Sequence, residues 1–134
     1  MEQGRHIVAM LAYQDAAAAL TFLCRAFGFE ERFRMTMADG RIGHAEIALG
    51  DAVVMLASAW REAGFASPIE LGGVHSQLYC VVEGVDAHYE AARAGGATVI
   101  DSPADQSYGV RSYRALDPEG HRWIFASPLA GASS

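Results

Sequence analysis

Apolar and polar positions along the chain follow two periods, and the order of these periods predicts alternating strands and helices. RHIVAMLAY predicts a strand. The segment DAAAALTFLCRAFG has apolar residues three or four positions apart, which predicts an amphipathic helix that begins after Asp15 and ends at Gly28. Three strands follow, EERFRMTM, RIGHAEIAL and AVVMLAS, separated by the turns ADG and GD. The first part of the chain therefore has the order β-α-β-β-β.

The same order returns after the small-residue segment AWREAGFASPIELGG. It comprises the strand HSQLYCVV, the helix VDAHYEAARAGG, the strand ATVI and the hairpin VRSYRALDPEGHRWIFAS. ALGDAVVMLAS also matches ALDPEGHRWIFAS at both ends, with two extra residues in the second turn. We expect one domain over residues 1–134, with a first module at about 5–59, a linker at about 60–74, a second module at about 75–128 and a flexible tail at 129–134.

These modules predict an α+β fold in which two βαβββ units form a cupped mixed sheet around one cleft. A small sheet can cover one of its faces with its own helix, so we expect the other face to curve against the partner module. Strand alternation then places His44 and Glu46 in the cleft. The other predicted ligand-binding residues of the cleft are Val8, Met55, Gln77, Tyr79, Arg111, Tyr113 and Ile124. Trp60, in the linker, either covers a ligand or packs on the helix side.

The cleft residues suggest two kinds of chemistry. Glu46 is a candidate general base, because apolar surroundings disfavour the ionised carboxylate, and His44 or Arg111 could stabilise charge on a substrate. Alternatively, Glu46 is a buried partner of Arg111. Arg111 beside Tyr113 predicts a ligand with an aromatic or apolar body and a negative group. His88 is expected to be solvated on its helix, and the DPEG turn is expected to be structural.

Composition excludes several classes of partner. The chain has 134 residues and a net charge of −6, with a pI near 5.2, which argues against binding to nucleic acid. No apolar run approaches the roughly 20 residues of a membrane span, so we expect no membrane partner and a cytoplasmic protein. Cys24 and Cys80 lack the spacing of metal or redox motifs.

The motifs VEGVDAHYEAARAGGA and DPEGHRW, in order with VAMLAYQDAAAALTFLCRAFGFE and GRIGHAEIALGDAVVML, resemble the vicinal oxygen chelate superfamily of glyoxalase I, bleomycin-resistance proteins and extradiol dioxygenases. The resemblance implies paired modules around one site, and often a homodimer. Metal-dependent members take one ligand from the first and one from the last strand of each module. In this sequence those positions fall on Val8, Met55, Gln77 and Ile124. Such a set suits no common divalent ion, so we expect neither metal nor cofactor.

Three functions remain open at this point. The first is a bleomycin-resistance-like protein that binds a small molecule in the cleft without metal. The second is a glyoxalase-like lyase or isomerase with Glu46 as general base or with an atypical metal site. The third is a domain with a vestigial cleft that binds protein. The sequence leaves open whether the protein is an enzyme, and it favours the first function because all strong ligand positions are lost.

Overall fold

The computed structural model describes residues 6–130, and the end of the predicted tail lies outside them. Its elements are β1 (Met10–Tyr13), α1 (Ala16–Phe27), β2 (Glu30–Thr36), β3 (Ile42–Leu49), β4 (Ala52–Ser58), α2 (Pro68–Leu71), β5 (Leu78–Val81), α3 (Val85–Ala94), β6 (Thr98–Asp105), β7 (Val110–Leu116) and β8 (Arg122–Pro128). A 3-10 helix, Arg61–Ala63, precedes α2. None of the helices between residues 6 and 130 is long and apolar enough to cross a membrane.

The strands form two four-stranded mixed sheets with the same topology. Module 1 contains β1, α1 and β2 to β4 in the sheet order β1-β4-β3-β2, and module 2 contains β5, α3 and β6 to β8 in the order β5-β8-β7-β6. The first and last strands of each module are parallel neighbours, and the remaining pairs are antiparallel. The predicted α+β fold and its repeat are therefore confirmed.

Helix α1 has the ends that the sequence predicts. The Asp15 side chain accepts a hydrogen bond from the Ala18 N–H, which satisfies one of the free donors of the first turn. Gly28 follows the last turn with φ of 81°, a left-handed conformation that favours glycine. The buried face of α1 lies on the sheet of module 1 and also contacts module 2.

One hydrophobic core joins the two modules through their helix sides. The Phe27 ring centroid lies 4.8 Å from that of Phe125 and 5.4 Å from that of Trp123, both on β8. Helices α1 and α3 also contact each other, and a Cβ added at Gly95 would lie 2.7 Å from the Ala26 Cα. Glycine is thus required where the chain after α3 approaches α1.

The DPEG turn of module 2 is tied to the start of α1 by buried carboxylates. Asp117 Oδ2 accepts hydrogen bonds from the Tyr13 hydroxyl at 2.6 Å and from the Trp123 indole at 3.1 Å. Burial and the neighbouring Asp117 carboxylate hold the pKa of Tyr13 well above its usual value, so the hydroxyl stays a donor. Asp117 Oδ1 also accepts from the backbone N–H groups of Glu119 and His121.

Glu119 makes the second connection. Its carboxylate accepts from the Gln14 N–H at 2.6 Å, from the Asp15 N–H at 2.8 Å and from the Ser67 hydroxyl at 2.6 Å. His121 adds a hydrogen bond of 2.9 Å from Nε2 to the Ala12 carbonyl oxygen. These contacts support the structural interpretation of the turn, which joins module 1, the connecting segment and module 2.

This packing leaves the opposite surface of each sheet on the outside of the chain. We call these surfaces the inner faces, since they are the surfaces that the sequence assigns to the cleft. Large apolar side chains on both of them are exposed, including Met10 at 59%, Phe33 at 49% and Tyr79 at 51%.

Candidate functional site

The inner face of module 1 follows the predicted strand alternation. Ala45, Ile47 and Leu56 point to the core and are at most 1% exposed. Their neighbours on β3 and β4 point outward, where Glu46 is opposite Met55, and the flanking strand β2 places Phe33 beside Glu46. The side chains of this face are Met10, Phe33, Met35, His44, Glu46, Val53 and Met55. The face is thus largely apolar around one polar pair.

His44 and Glu46 form that pair directly. Their separation of two residues corresponds to about 6 to 7 Å along a strand, a spacing that does not by itself impose a direct bond. In the structure the side chains converge, and His44 Nε2 lies 3.0 Å from Glu46 Oε2. In neutral His44 the N–H on Nε2 donates to this carboxylate, which leaves the lone pair on Nδ1. That nitrogen has no hydrogen-bond partner among residues 6–130.

The inner face of module 2 differs from the prediction. Ile124 lies between Tyr79 on β5 and Arg114 on β7. Arg114 is bound to Asp101, with its Nη2 2.7 Å from Asp101 Oδ2. A shallow depression of about 250 Å³ lies over this face, and its lining includes Gln77, Asp101, Tyr108, Ser112, Arg114 and Ile124. Of the predicted residues, Gln77, Tyr79 and Ile124 do lie on this face.

The predicted inward orientation of Arg111 and Tyr113 is wrong. Tyr113 is fully buried in the core, and Arg111 is bound to Asp86 and Asp105 at the helix side. In module 1, Ala48 on β3 is opposite Val53 on β4, and four residues lie between them in the chain. In module 2, Leu116 on β7 is opposite Arg122 on β8, and five residues lie between them. The difference is odd, and an odd shift exchanges the two faces of a strand. Glu46 of module 1 therefore corresponds to Arg114 of module 2. Glu46 does not form the ion pair with Arg111 that the sequence offered as an alternative.

The local pattern of β7 contained the missing signal. In VRSYRAL the alternate residues Ser112 and Arg114 are polar, whereas Tyr113 and Ala115 are apolar enough for a core. The sequence match of the two hairpins gives two extra residues in the second turn, whereas the strand pairing has one, and this difference of one residue put the side chains of β7 on the wrong faces. Ser112, Arg114 and Asp101 are the site residues that sequence reasoning missed.

His88 is also not solvated as expected. Its Nε2 lies 2.8 Å from the Phe27 carbonyl oxygen, and its Nδ1 lies 2.6 Å from the Tyr113 hydroxyl. The ring lies 4.2 Å from the Phe125 ring centroid. Burial lowers the pKa of His88, so the neutral ring donates from Nε2 and accepts from Tyr113. His88 is therefore part of the contact between the modules.

The four positions that the family resemblance assigns to metal ligands do not fit a divalent ion. Val8 and Ile124 carry hydrocarbon side chains, Met55 offers a thioether and Gln77 an amide oxygen, whereas such ions prefer imidazole, carboxylate or thiolate ligands. Val8 precedes β1 in module 1, whereas Gln77 precedes β5 in module 2. Within the described part of the chain, no three His, Cys, Asp or Glu side chains are grouped for a metal.

Trp60 lies between the modules rather than on either inner face. It pairs with Phe65 in a short bridge at the start of the connecting segment, and 58% of it is exposed. It does not line the depression over the inner face of module 2.

Comparison with known proteins gives a consistent family assignment. Residues 5–125 match the family model described as the Glyoxalase/Bleomycin resistance protein/Dioxygenase superfamily. An uncharacterized protein of Mycobacterium tuberculosis is 33% identical over 122 residues, which cover 89% of this chain and 72% of that protein. The crystal structure of TioX from a Micromonospora species is 32% identical, with a TM-score of 0.73 and coverage of 97% of this chain and 98% of that one.

A more distant structure shows the same fold. A genomically encoded fosfomycin resistance protein from Listeria monocytogenes has a TM-score of 0.67 at 15% identity, and 96% of each chain is covered.

Proposed function

Because the chain belongs to the glyoxalase/bleomycin resistance protein/dioxygenase superfamily, we propose that it binds a small molecule without metal, between the inner face of module 1 in one copy and the inner face of module 2 in a second copy. The observation that carries this proposal is the exposure of large apolar side chains on both inner faces. Exposed apolar surface of this kind marks sites for ligands or partners. Because the modules pack through their helix sides, a second chain covers each inner face in this proposal.

The chemistry of the faces favours an apolar or aromatic ligand body. Phe33, Met35 and Met55 supply polarisable and aromatic surface, and the charge of Arg114 is paired with that of Asp101. Small-molecule sites commonly combine apolar walls with a few polar groups. The side chains at the four metal-ligand positions support binding without metal.

Native mass spectrometry of freshly purified protein tests both parts of this proposal. We expect a dimer of two 14.3 kDa chains without a stoichiometric divalent metal. We also expect Val81→Asp to dissociate the dimer, because Val81 is 66% exposed on β5 of module 2 and a charge there would be buried. The matched control is Ile69→Asp on α2, where the side chain is 54% exposed outside both inner faces.

Three results would contradict the proposal. The first is a monomeric wild-type protein at micromolar concentration. The second is an equivalent of Zn, Ni, Mn or Fe that survives dialysis. The third is equal dissociation of the Val81→Asp and Ile69→Asp variants, because the inner face would then have no special role in association.

A second candidate function, general-base catalysis, is favoured by the 3.0 Å contact between His44 and Glu46. In this candidate His44 Nδ1 removes a proton from a bound carbon acid, and Glu46 positions the imidazole and stabilises the imidazolium that forms. This exchanges the roles that the sequence suggested. Arg111 takes no part, because it lies on the helix side.

The probe 5-nitrobenzisoxazole tests this second candidate, because a base that removes its C–H proton opens the ring, breaks the N–O bond and releases a coloured cyanophenolate. We expect His44→Gln to lower the rate by roughly a hundredfold and Glu46→Gln to lower it less. His75→Gln serves as the control, since His75 is exposed and lies off the inner face of module 1. Equal rates for the His44 and His75 variants would refute catalysis by this pair.

A further inference from the structure

A groove lies between the connecting segment and the end of the β7–β8 hairpin, where it borders the inner face of module 2 and shares Gln77 with it. Its volume is about 600 Å³, which is within the usual range for small-molecule sites. The segment from Gly72 to Gln77 forms one side, and Leu116, Gly120 and Arg122 form the other. All of these residues belong to one chain, so the groove exists without a partner copy.

The polar side chains of the groove are all able to donate hydrogen bonds, and none is a carboxylate. They are His75, Ser76, Gln77 and Arg122. This is unusual in a chain with 16 acidic and 10 basic residues. The groove is therefore a local exception to the negative charge of the protein, and that exception favours an anion.

Arg122 is the group that gives the groove its charge. Seven other arginines of residues 6–130 form ion pairs with carboxylates, whereas Arg122 forms none there. The only hydrogen bond of its side chain among these residues runs from Nε to Gln77 Oε1 at 3.4 Å. The N–H groups on the two terminal nitrogens of Arg122 are thus free to bind a ligand, and so is the NH₂ group of the Gln77 amide.

The walls of the groove are held in place before any ligand arrives. The Ser67 side chain caps α2, and its hydroxyl donates to Glu119 in the hairpin turn at 2.6 Å. Gly120 passes so close to α2 that an added Cβ would lie 3.4 Å from the Pro68 Cβ. A site that is already ordered loses less entropy on binding.

We propose that this groove binds a small organic anion, a carboxylate or a phosphate monoester. The Arg122 guanidinium holds two of its oxygens, with Gln77 and Ser76 as further donors. Val74 and Leu116 contact its apolar part. The sequence assigned the anion to Arg111, whose guanidinium is occupied by Asp86 and Asp105.

Isothermal titration calorimetry with phenyl phosphate, benzoate and benzyl alcohol tests the proposal. We expect saturable binding of at least one anion and none of the uncharged alcohol, and tighter binding of phenyl phosphate or of benzoate identifies the phosphate or carboxylate class. Arg122→Gln is expected to weaken anion binding by about tenfold or more. The matched control is Arg32→Gln, since Arg32 is exposed on β2 and paired with Glu30.

The variants also separate anion binding from misfolding and from the association of two copies. Arg122→Lys keeps the positive charge and loses the bidentate contact. We therefore expect its affinity for the anion to lie between those of wild type and Arg122→Gln. Val81→Asp should leave anion binding unchanged, because the groove lies within one chain. The proposal is overturned if neither anion binds, or if Arg122→Gln and Arg32→Gln bind the anions equally while both keep the wild-type circular dichroism spectrum.

Discussion

The carboxylate of Glu119 holds the two modules and the connecting segment together, so its replacement by glutamine should destabilise the whole fold. Glu119 is 8% exposed, and its two oxygens accept three hydrogen bonds, from Gln14 N, Asp15 N and Ser67 Oγ. A glutamine has one acceptor oxygen. Its NH₂ group would therefore be directed at a backbone N–H or a hydroxyl that needs an acceptor.

The magnitude follows from the bonds that are lost. A hydrogen bond to a charged group contributes about 1.5 to 3 kcal/mol, and an unsatisfied buried donor costs a similar amount. We expect Glu119→Gln to lower the free energy of unfolding by about 2 kcal/mol, which corresponds to a fall of about 8 °C in Tm for a domain of this size. Urea unfolding followed by circular dichroism measures the change, at one fixed protein concentration because any dimer contributes to stability.

The same chemical change at Glu62 provides the control. Glu62 is exposed in the 3-10 helix and makes no ion pair or side-chain hydrogen bond among residues 6–130. Glu62→Gln should change the free energy of unfolding by less than about 0.5 kcal/mol. If the two variants unfold at the same urea concentration, the connection between the modules does not depend on the Glu119 carboxylate.

Two further predictions concern the contact between the modules. Burial lowers the pKa of His88 in the folded state, so stability should be complete above the ordinary histidine pKa near 6.5 and should fall as the pH drops below it. Urea unfolding at about pH 8 and about pH 5.5 measures this effect, and an unchanged pH dependence in His88→Gln would contradict it. Gly95→Ala should lower the free energy of unfolding by about 1 to 3 kcal/mol, because its Cβ would lie 2.7 Å from the Ala26 Cα. Gly73→Ala is the control, since its Cβ would meet nothing within 4 Å, and equal midpoints in the same urea assay would refute the packing argument.

The sequence by itself determined the elements and the chemistry that depends on residue type. Local spacing predicts the two ends of α1, at Asp15 and Gly28, and the repeated order of the strands. It also predicts the core positions of β3, β4 and β8, because the period of a strand or helix does not depend on where the element lies in the fold. The side chains at the four metal-ligand positions can likewise be read from the sequence. These features need no knowledge of long-range contacts.

The tertiary structure decided which faces the side chains occupy and which residues meet. One residue of difference between two hairpins exchanges the faces of β7, and this moves Arg111 out of the site and Arg114 into it. His88 on α3 is half-buried against Phe27 and Phe125, and its Nε2 donates to the carbonyl oxygen of Phe27, which lies 61 residues away in sequence in the other module. Such a contact depends on how the two modules pack, and no local pattern records that packing.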